Sequence, residues 1–187
     1  MATNLFNSKD DASYESQYEE ALSRHKIIES ILTQSLSASF YRILEGGDEV
    51  DEDLDHAGID AVADIDDQHS FLALKTRNLE NFPFGDDPRD VDVALRKLGR
   101  NGGKSEEYGR YISDNAEVPH LLIFVVLHKD KPVRHMVLDF RAMSNNRDEI
   151  DETEKWSSVP SDDGKFVFLD SEDVREFAQT EWTHPEY

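Results

Sequence analysis

The chain has 187 residues, with 41 acidic against 20 basic side chains, a formal net charge of -21, a pI near 4.5 and no cysteine. Disulfides and thiolate metal sites are therefore excluded, and the overall charge opposes unspecific binding to a polyanion, which needs cations to displace counterions. No apolar run approaches the roughly 20 residues of a membrane span, and Met1-Ala2-Thr3-Asn4 lacks the charged-then-apolar pattern of a secretion signal, so a cytoplasmic protein without membrane contact is expected.

The length suits one domain: residues 1–12 read as a flexible N-terminus, 13–180 as a single α/β domain and 181–187 as a tail. From Ser13, a suitable N-cap, Tyr14, Tyr18, Ala21, Leu22, His25, Ile28 and Leu32 recur at three- and four-residue intervals, which predicts an amphipathic helix. At about 100° per residue Glu29 falls inside that stripe, and an acid there needs a partner. The helix continues or restarts through residues 37–44, and Gly46-Gly47 ends it. The acidic run from Asp48 to Asp55 then reads as a solvated loop.

Two alternating runs follow. Ile59, Ala61, Ala63 and Ile65 interleave with Asp60, Val62 and Asp64, and after a polar break at residues 66–69 the set Phe71, Ala73, Lys75 opposes Leu72, Leu74, Thr76. Paired at about 4.8 Å, the two strands set Asp60 and Lys75 on one face, within reach of a common ion or phosphate. Residues 78–90, with Pro83, Gly85 and Pro88, read as a surface loop. Between Ala94 and Lys104 the chain carries Arg96, Lys97, Arg100 and Lys104 without an acid, and Gly99, Gly102 and Gly103 let backbone amides approach a phosphate. A charged loop that balances nearby acids explains the same cluster.

A helix is expected over residues 104–116, and then His120 to His128, apolar throughout, suits a central strand covered on both faces. A turn at residues 128–132 leads to a strand over Val133–Phe140. Residues 142–164 are polar, with Trp156 as a packing anchor; residues 165–169 form a short strand, and Ser171 caps a helix reaching Thr180. The seven histidines form no i, i+4 pair, and neither a Walker loop nor a Gly-x-Ser-x-Gly elbow is present.

Asp55-x-x-Gly58-Ile59-Asp60, followed after the turn by Phe71-Leu72-Ala73-Leu74-Lys75-Thr76-Arg77, resembles the core of the PD-(D/E)XK nuclease superfamily. The likeness covers residues 55–77 closely and roughly the first 140 as an order of elements. It implies a restriction-endonuclease-like fold: a mixed central sheet of at least four strands flanked by helices. It also implies Mg²⁺- or Mn²⁺-dependent hydrolysis of DNA, with Asp60 as metal ligand, the Leu74 carbonyl facing the metal and Lys75 as catalytic lysine. Glu29 would be the glutamate that the first helix often supplies, and Asp55 a further metal candidate. Arg77, Arg96, Lys97, Arg100 and Lys104 would grip the DNA backbone. The departure is Ala73, which stands where the family usually has Glu, Asp or Gln.

A methyl group cannot coordinate a cation, so a nuclease-fold protein that works through nucleic-acid or protein contacts is the rival reading, and a second copy of the chain is a further partner. The acidity has three explanations: adaptation to concentrated salt, where the Debye length shrinks to about 3 Å at 1 M; mimicry of DNA toward a protein partner; or an acidic surface with a local basic site. The spread of acids along the chain suits the first, a halophilic protein.

Overall fold

The structure is a computed structural model and describes residues 24–44, 54, 58–81, 87–98, 106–112, 120–156 and 164–187. Helix α1 spans described residues 24–34 and buries Ile27, Ile28, Ile31 and Leu32, the i, i+1, i+4, i+5 spacing of one helical face. The expected start at Ser13, the Gly46-Gly47 stop and the acidic run over residues 48–53 lie outside the described residues.

After α1 come β1 (Phe40–Ile43), β2 (Ala61–Ile65) and β3 (Gln68–Asn78), a meander in which each strand runs antiparallel to the last. Asp66 and Asp67, at φ 49° and 60°, make the two-residue turn between β2 and β3. Two left-handed residues match the strand twist, and aspartate tolerates that region better than most side chains. Strand β4 (Val93–Leu98) and helix α2 (Glu106–Tyr111) precede β5 (Leu121–His128), which pairs parallel with β3. Lys129 and Asp130, again left-handed, turn β5 into β6 (Lys131–Asp139). Helix α3 (Phe140–Asn145), β7 (Glu152–Trp156), β8 (Lys165–Leu169), helix α4 (Ser171–Arg175) and β9 (Ala178–Thr183) complete the chain.

These elements form a mixed six-stranded sheet, order β1-β2-β3-β5-β6-β9, and a three-stranded sheet, β4-β8-β7. The fold is α/β, with a central sheet holding one parallel pairing among antiparallel ones. The period of two in β3 divides the core. Leu72 and Leu74 join Ala61, Ala63, Ile123, Val125 and α1 on one face, and Ala73 joins Phe124, Met136, Leu95, Val167 and Met143 on the other. Residues 121–126 are buried throughout, because β5 is covered on both faces.

Several expectations are corrected. Residues 40–43 are strand and not helix: β1 is short, and its conformation is set by the ladder with β2. Residues 93–98 are strand where a basic loop was expected, so Arg96 and Lys97 project from β4. Short 3-10 turns at Leu79–Asn81 and Pro88–Asp90 interrupt the expected loop. The last helix stops at Arg175, and the expected tail is partly β9, which forms a ladder with β6. Trp156 is 62% exposed on β7 and is not part of the core among the described residues.

Arg134, fully buried on β6, ties the distal elements together. Its Nη1 donates to the carbonyls of Pro88 (3.0 Å) and Arg89 (2.9 Å) and to Ser171 Oγ (3.0 Å), and its Nε donates to Glu181 Oε1 at 3.0 Å. The turn it holds is capped by Asp87, whose Oδ1 accepts from Arg89 N–H at 2.9 Å while Oδ2 meets the Arg89 guanidinium at 2.6 Å. That guanidinium holds the Asp87 carboxyl down to about 2. A depressed carboxyl contributes stability above its unfolded value near ~4 and loses it as pH falls through the folded value. Thermal midpoints of the parent and Asp87→Asn are therefore expected to differ at pH 6 and to converge toward pH 2; a constant difference would refute this.

Candidate functional site

Gly58 has φ 71°, in the left-handed region that favours glycine, and it turns the chain into Ile59 and Asp60 just before β2. Ile59 is buried and its N–H donates to Leu54 O at 3.0 Å. Asp60 is stitched on both sides: its N–H donates to Leu72 O (2.8 Å) and its carbonyl accepts from Leu44 N–H (2.9 Å). The carboxylate lies over the β3 backbone, where Oδ2 accepts the Leu74 N–H at 2.7 Å, and Oδ1 stands 3.7 Å from Arg24 Nη2 of α1. The side chain is 30% exposed.

Asp60 therefore sits against Leu74, the residue next to Lys75. Ala73 belongs to the core on the face of β3 opposite α1, and Lys75, two residues on, projects to that same face and is half-buried. Arg77 continues the row; its Nη2 donates to Ala94 O on β4 at 3.1 Å, and its guanidinium lies 5.5 Å from the Phe166 ring. Arg96 lies over the same ring at 5.5 Å. Lys97 lies over Tyr108 at 5.0 Å and pairs with Glu154, which also pairs with Lys165.

Glu29 is placed elsewhere. It is exposed, because the 100° step from buried Ile28 carries it off the apolar face, and its Oε1 accepts the Tyr41 hydroxyl at 2.8 Å beside β1. That hydrogen bond pushes the Tyr41 hydroxyl above its ordinary value. Glu29 thus stands on the α1 side of the sheet, the face opposite Lys75, and the expectation that it lies within the buried stripe is corrected. Asp55, Arg100 and Lys104 lie outside the described residues. Among the described residues, no three His, Asp or Glu side chains converge as a metal cluster.

A polar cleft of about 370 Å³ opens at the other end of β3, lined by His69, Ser70, His120, Asp139, Arg141 and Gln179 among others. His69 Nδ1 lies 2.9 Å from Asp64 Oδ1, its partner across the turn, and the Phe71 ring stands edge-on to both His69 (5.6 Å) and His120 (5.4 Å). The Asp64–His69 pairing follows from a two-residue turn and was open to prediction. His120 comes beside Phe71 only through the parallel pairing of β3 with β5, for which local sequence carries no signal. No family model, no curated protein and no solved structure matches the chain.

Proposed function

We propose that this chain is a nuclease-fold protein of the PD-(D/E)XK type that hydrolyses DNA phosphodiester bonds with Mg²⁺ or Mn²⁺, in a salt-adapted setting. The observation that carries the reading is the succession of α1, the β1-β2-β3 meander and a crossover to parallel β5, with Asp60 opening β2 against the backbone beside Lys75 on β3.

Asp60 is the side chain that would hold the cation. Hard cations take oxygen ligands, and Mg²⁺ is commonly held by one or two carboxylates with waters and substrate phosphate completing its shell, so the donor set fits a loosely bound, substrate-assisted ion. When bound, such an ion polarises the phosphate and acidifies its water. Lys75, next to Leu74 on β3 and on the face away from α1, sets a positive charge that would stabilise charge developing on the phosphoryl oxygens. Arg77 and Arg96 extend positive charge from that face onto β4 and would hold the flanking backbone.

A second reading is favoured by Ala73 and by the Arg24 contact: the fold persists, catalysis has lapsed, and the site retains phosphate or protein binding. Cleavage of plasmid and oligonucleotide DNA, with Mg²⁺ or Mn²⁺ from 0.1 to 3 M salt, separates the two. Hydrolysis reduced at least ~100-fold in both Asp60→Ala and Lys75→Ala is the expected result, a loss of the size seen when one group stabilising transition-state charge is removed. Undiminished cleavage in either variant would refute the catalytic assignment, and no cleavage at any salt would favour the binding reading.

A further inference from the structure

Strand β9 is an edge of the six-stranded sheet; among the described residues it is paired only with β6. Natural sheet edges are kept from pairing with other chains by short length, charge or proline. The opposite edge, β1, has four residues and includes Arg42, and the β7 edge of the small sheet carries Glu152, Glu154 and Lys155. β9 reads Ala-Gln-Thr-Glu-Trp-Thr. Its one charge, Glu181, is turned to Arg134 at 2.9 Å and Arg175 at 3.3 Å. In a chain that is 33% charged, this edge therefore presents neutral side chains, with Trp182 40% exposed. The phase of the ladder decides which backbone groups face out. Directly opposed residues of an antiparallel pair alternate between exchanging hydrogen bonds and exchanging none. His184 N–H donates to Val133 O at 2.8 Å, so Trp182 opposite His135 and Thr180 opposite Val137 also bond to β6. The N–H and C=O groups of Glu181 and Thr183 then point away from the sheet. The bulge in this ladder lies beyond Val137 and leaves that stretch regular.

We propose that β9 pairs antiparallel with β9 of a second copy of the chain, about a twofold axis at Trp182. A symmetric pair bonds outward residues to outward residues. Glu181 opposite Glu181 would set like charges together, and Thr183 opposite Thr183 would bring Glu181 against Pro185, which has no N–H to give. Glu181 opposite Thr183 meets neither objection, and each such pair exchanges both hydrogen bonds. This register sets Trp182 across from Trp182 of the second copy in the close, non-bonded position, on the face where the indole stacks on His135 at 5.6 Å. Self-association of a chain of charge -21 is opposed by its own field, so salt that screens the field strengthens the pair. The pairing is independent of the nuclease-fold reading.

The test is sedimentation velocity of the full chain over a concentration series at ~0.1 and ~1 M NaCl, where the Debye length falls from about 10 to about 3 Å. A monomer–dimer equilibrium is expected, tighter at the higher salt by about tenfold or more. Thr183→Pro removes an outward N–H, a loss that an edge strand tolerates; it should abolish the dimer while leaving the urea midpoint near that of the parent. The chain has no cysteine, so Trp182→Cys places a single thiol at the axis, where Cα atoms about 4.5 Å apart are within disulfide reach. Mild oxidation should cross-link it about tenfold faster than Gln179→Cys, which lies on the same strand away from the axis. If Thr183→Pro fails to fold, the two cysteine variants decide. A chain that stays monomeric at both salts, a dimer undiminished in folded Thr183→Pro, or equal cross-linking of the two cysteine variants would each overturn the proposal.

Discussion

Glu181→Gln is expected to lower the unfolding free energy by about 3 kcal/mol, within the ~3–5 kcal/mol typical of removing one partner from a buried ion pair. Arg134 has no exposed surface, and its guanidinium is pushed below its ordinary value by burial while Glu181 opposes that shift. The lower end of the range applies because Glu181 is 28% exposed and water reaches part of it. Glutamine keeps the shape and can accept the Nε hydrogen bond, but it leaves a desolvated positive charge opposite a neutral group. Arg175, whose Nε lies 3.3 Å from Glu181 Oε2, loses its partner in the same step. The measurement is the urea midpoint at constant m, since a changed slope would report on compactness instead. A double variant, Arg134→Met with Glu181→Leu, should cost less than Glu181→Gln alone, because no charge is then stranded. A single-variant loss under about 0.5 kcal/mol, the size of an ordinary surface substitution, would show that Arg134 is held by the Pro88 and Arg89 carbonyls without help from Glu181.

The readable parts of the sequence are those where one local period dominates. The alternation through β2 and β3 gave both strands and their faces, and the continuous run of β5 pointed to a strand buried on both sides, as found. The β5-β6 hairpin was legible for the same reason. Strands fixed by their neighbours were not. β9 reads Ala-Gln-Thr-Glu-Trp-Thr, with little apolar surface of its own; it is a strand because β6 offers a ladder and because Glu181 must reach Arg134. β7 is exposed along its length and exists only as the partner of β8. At the candidate site the placement of Asp60 beside the β3 backbone follows from the hairpin. Its capture of the Leu74 N–H and its approach to Arg24 do not, since both depend on a bend at Gly58 and on where α1 crosses the sheet. Glu29 was misplaced because one helical step separates buried Ile28 from an exposed position.

Ala73→Glu is expected to make the folded state far more strongly stabilised by metal than the parent is. Ala73 is 4% exposed, packs in the core with Phe124 and Leu122, and shares its face with Lys75. A glutamate there crowds its neighbours and buries a carboxyl, at a cost of about 2–4 kcal/mol without metal. With Mg²⁺ or Mn²⁺ at about 100-fold over its Kd, binding to the folded state alone returns about 2.7 kcal/mol, or roughly 5–10 °C in Tm for a domain of this size. The parent, with the Asp60 carboxylate just before β2 and a methyl on β3, should shift by less than about 2 °C at the same concentration. Asp60→Asn in the Ala73→Glu background should abolish the gain, because two oxygen ligands must act together to hold a hard cation against its hydration. A metal-dependent rise that survives Asp60→Asn would place the ion elsewhere, and a variant destabilised equally with and without metal would show that residues 60 and 73 do not share a coordination sphere. Because the readout is stability, the result holds whether or not the parent chain cleaves DNA, and it tests the geometry on which a nuclease assignment depends: two adjacent strands presenting their oxygen donors to one ion.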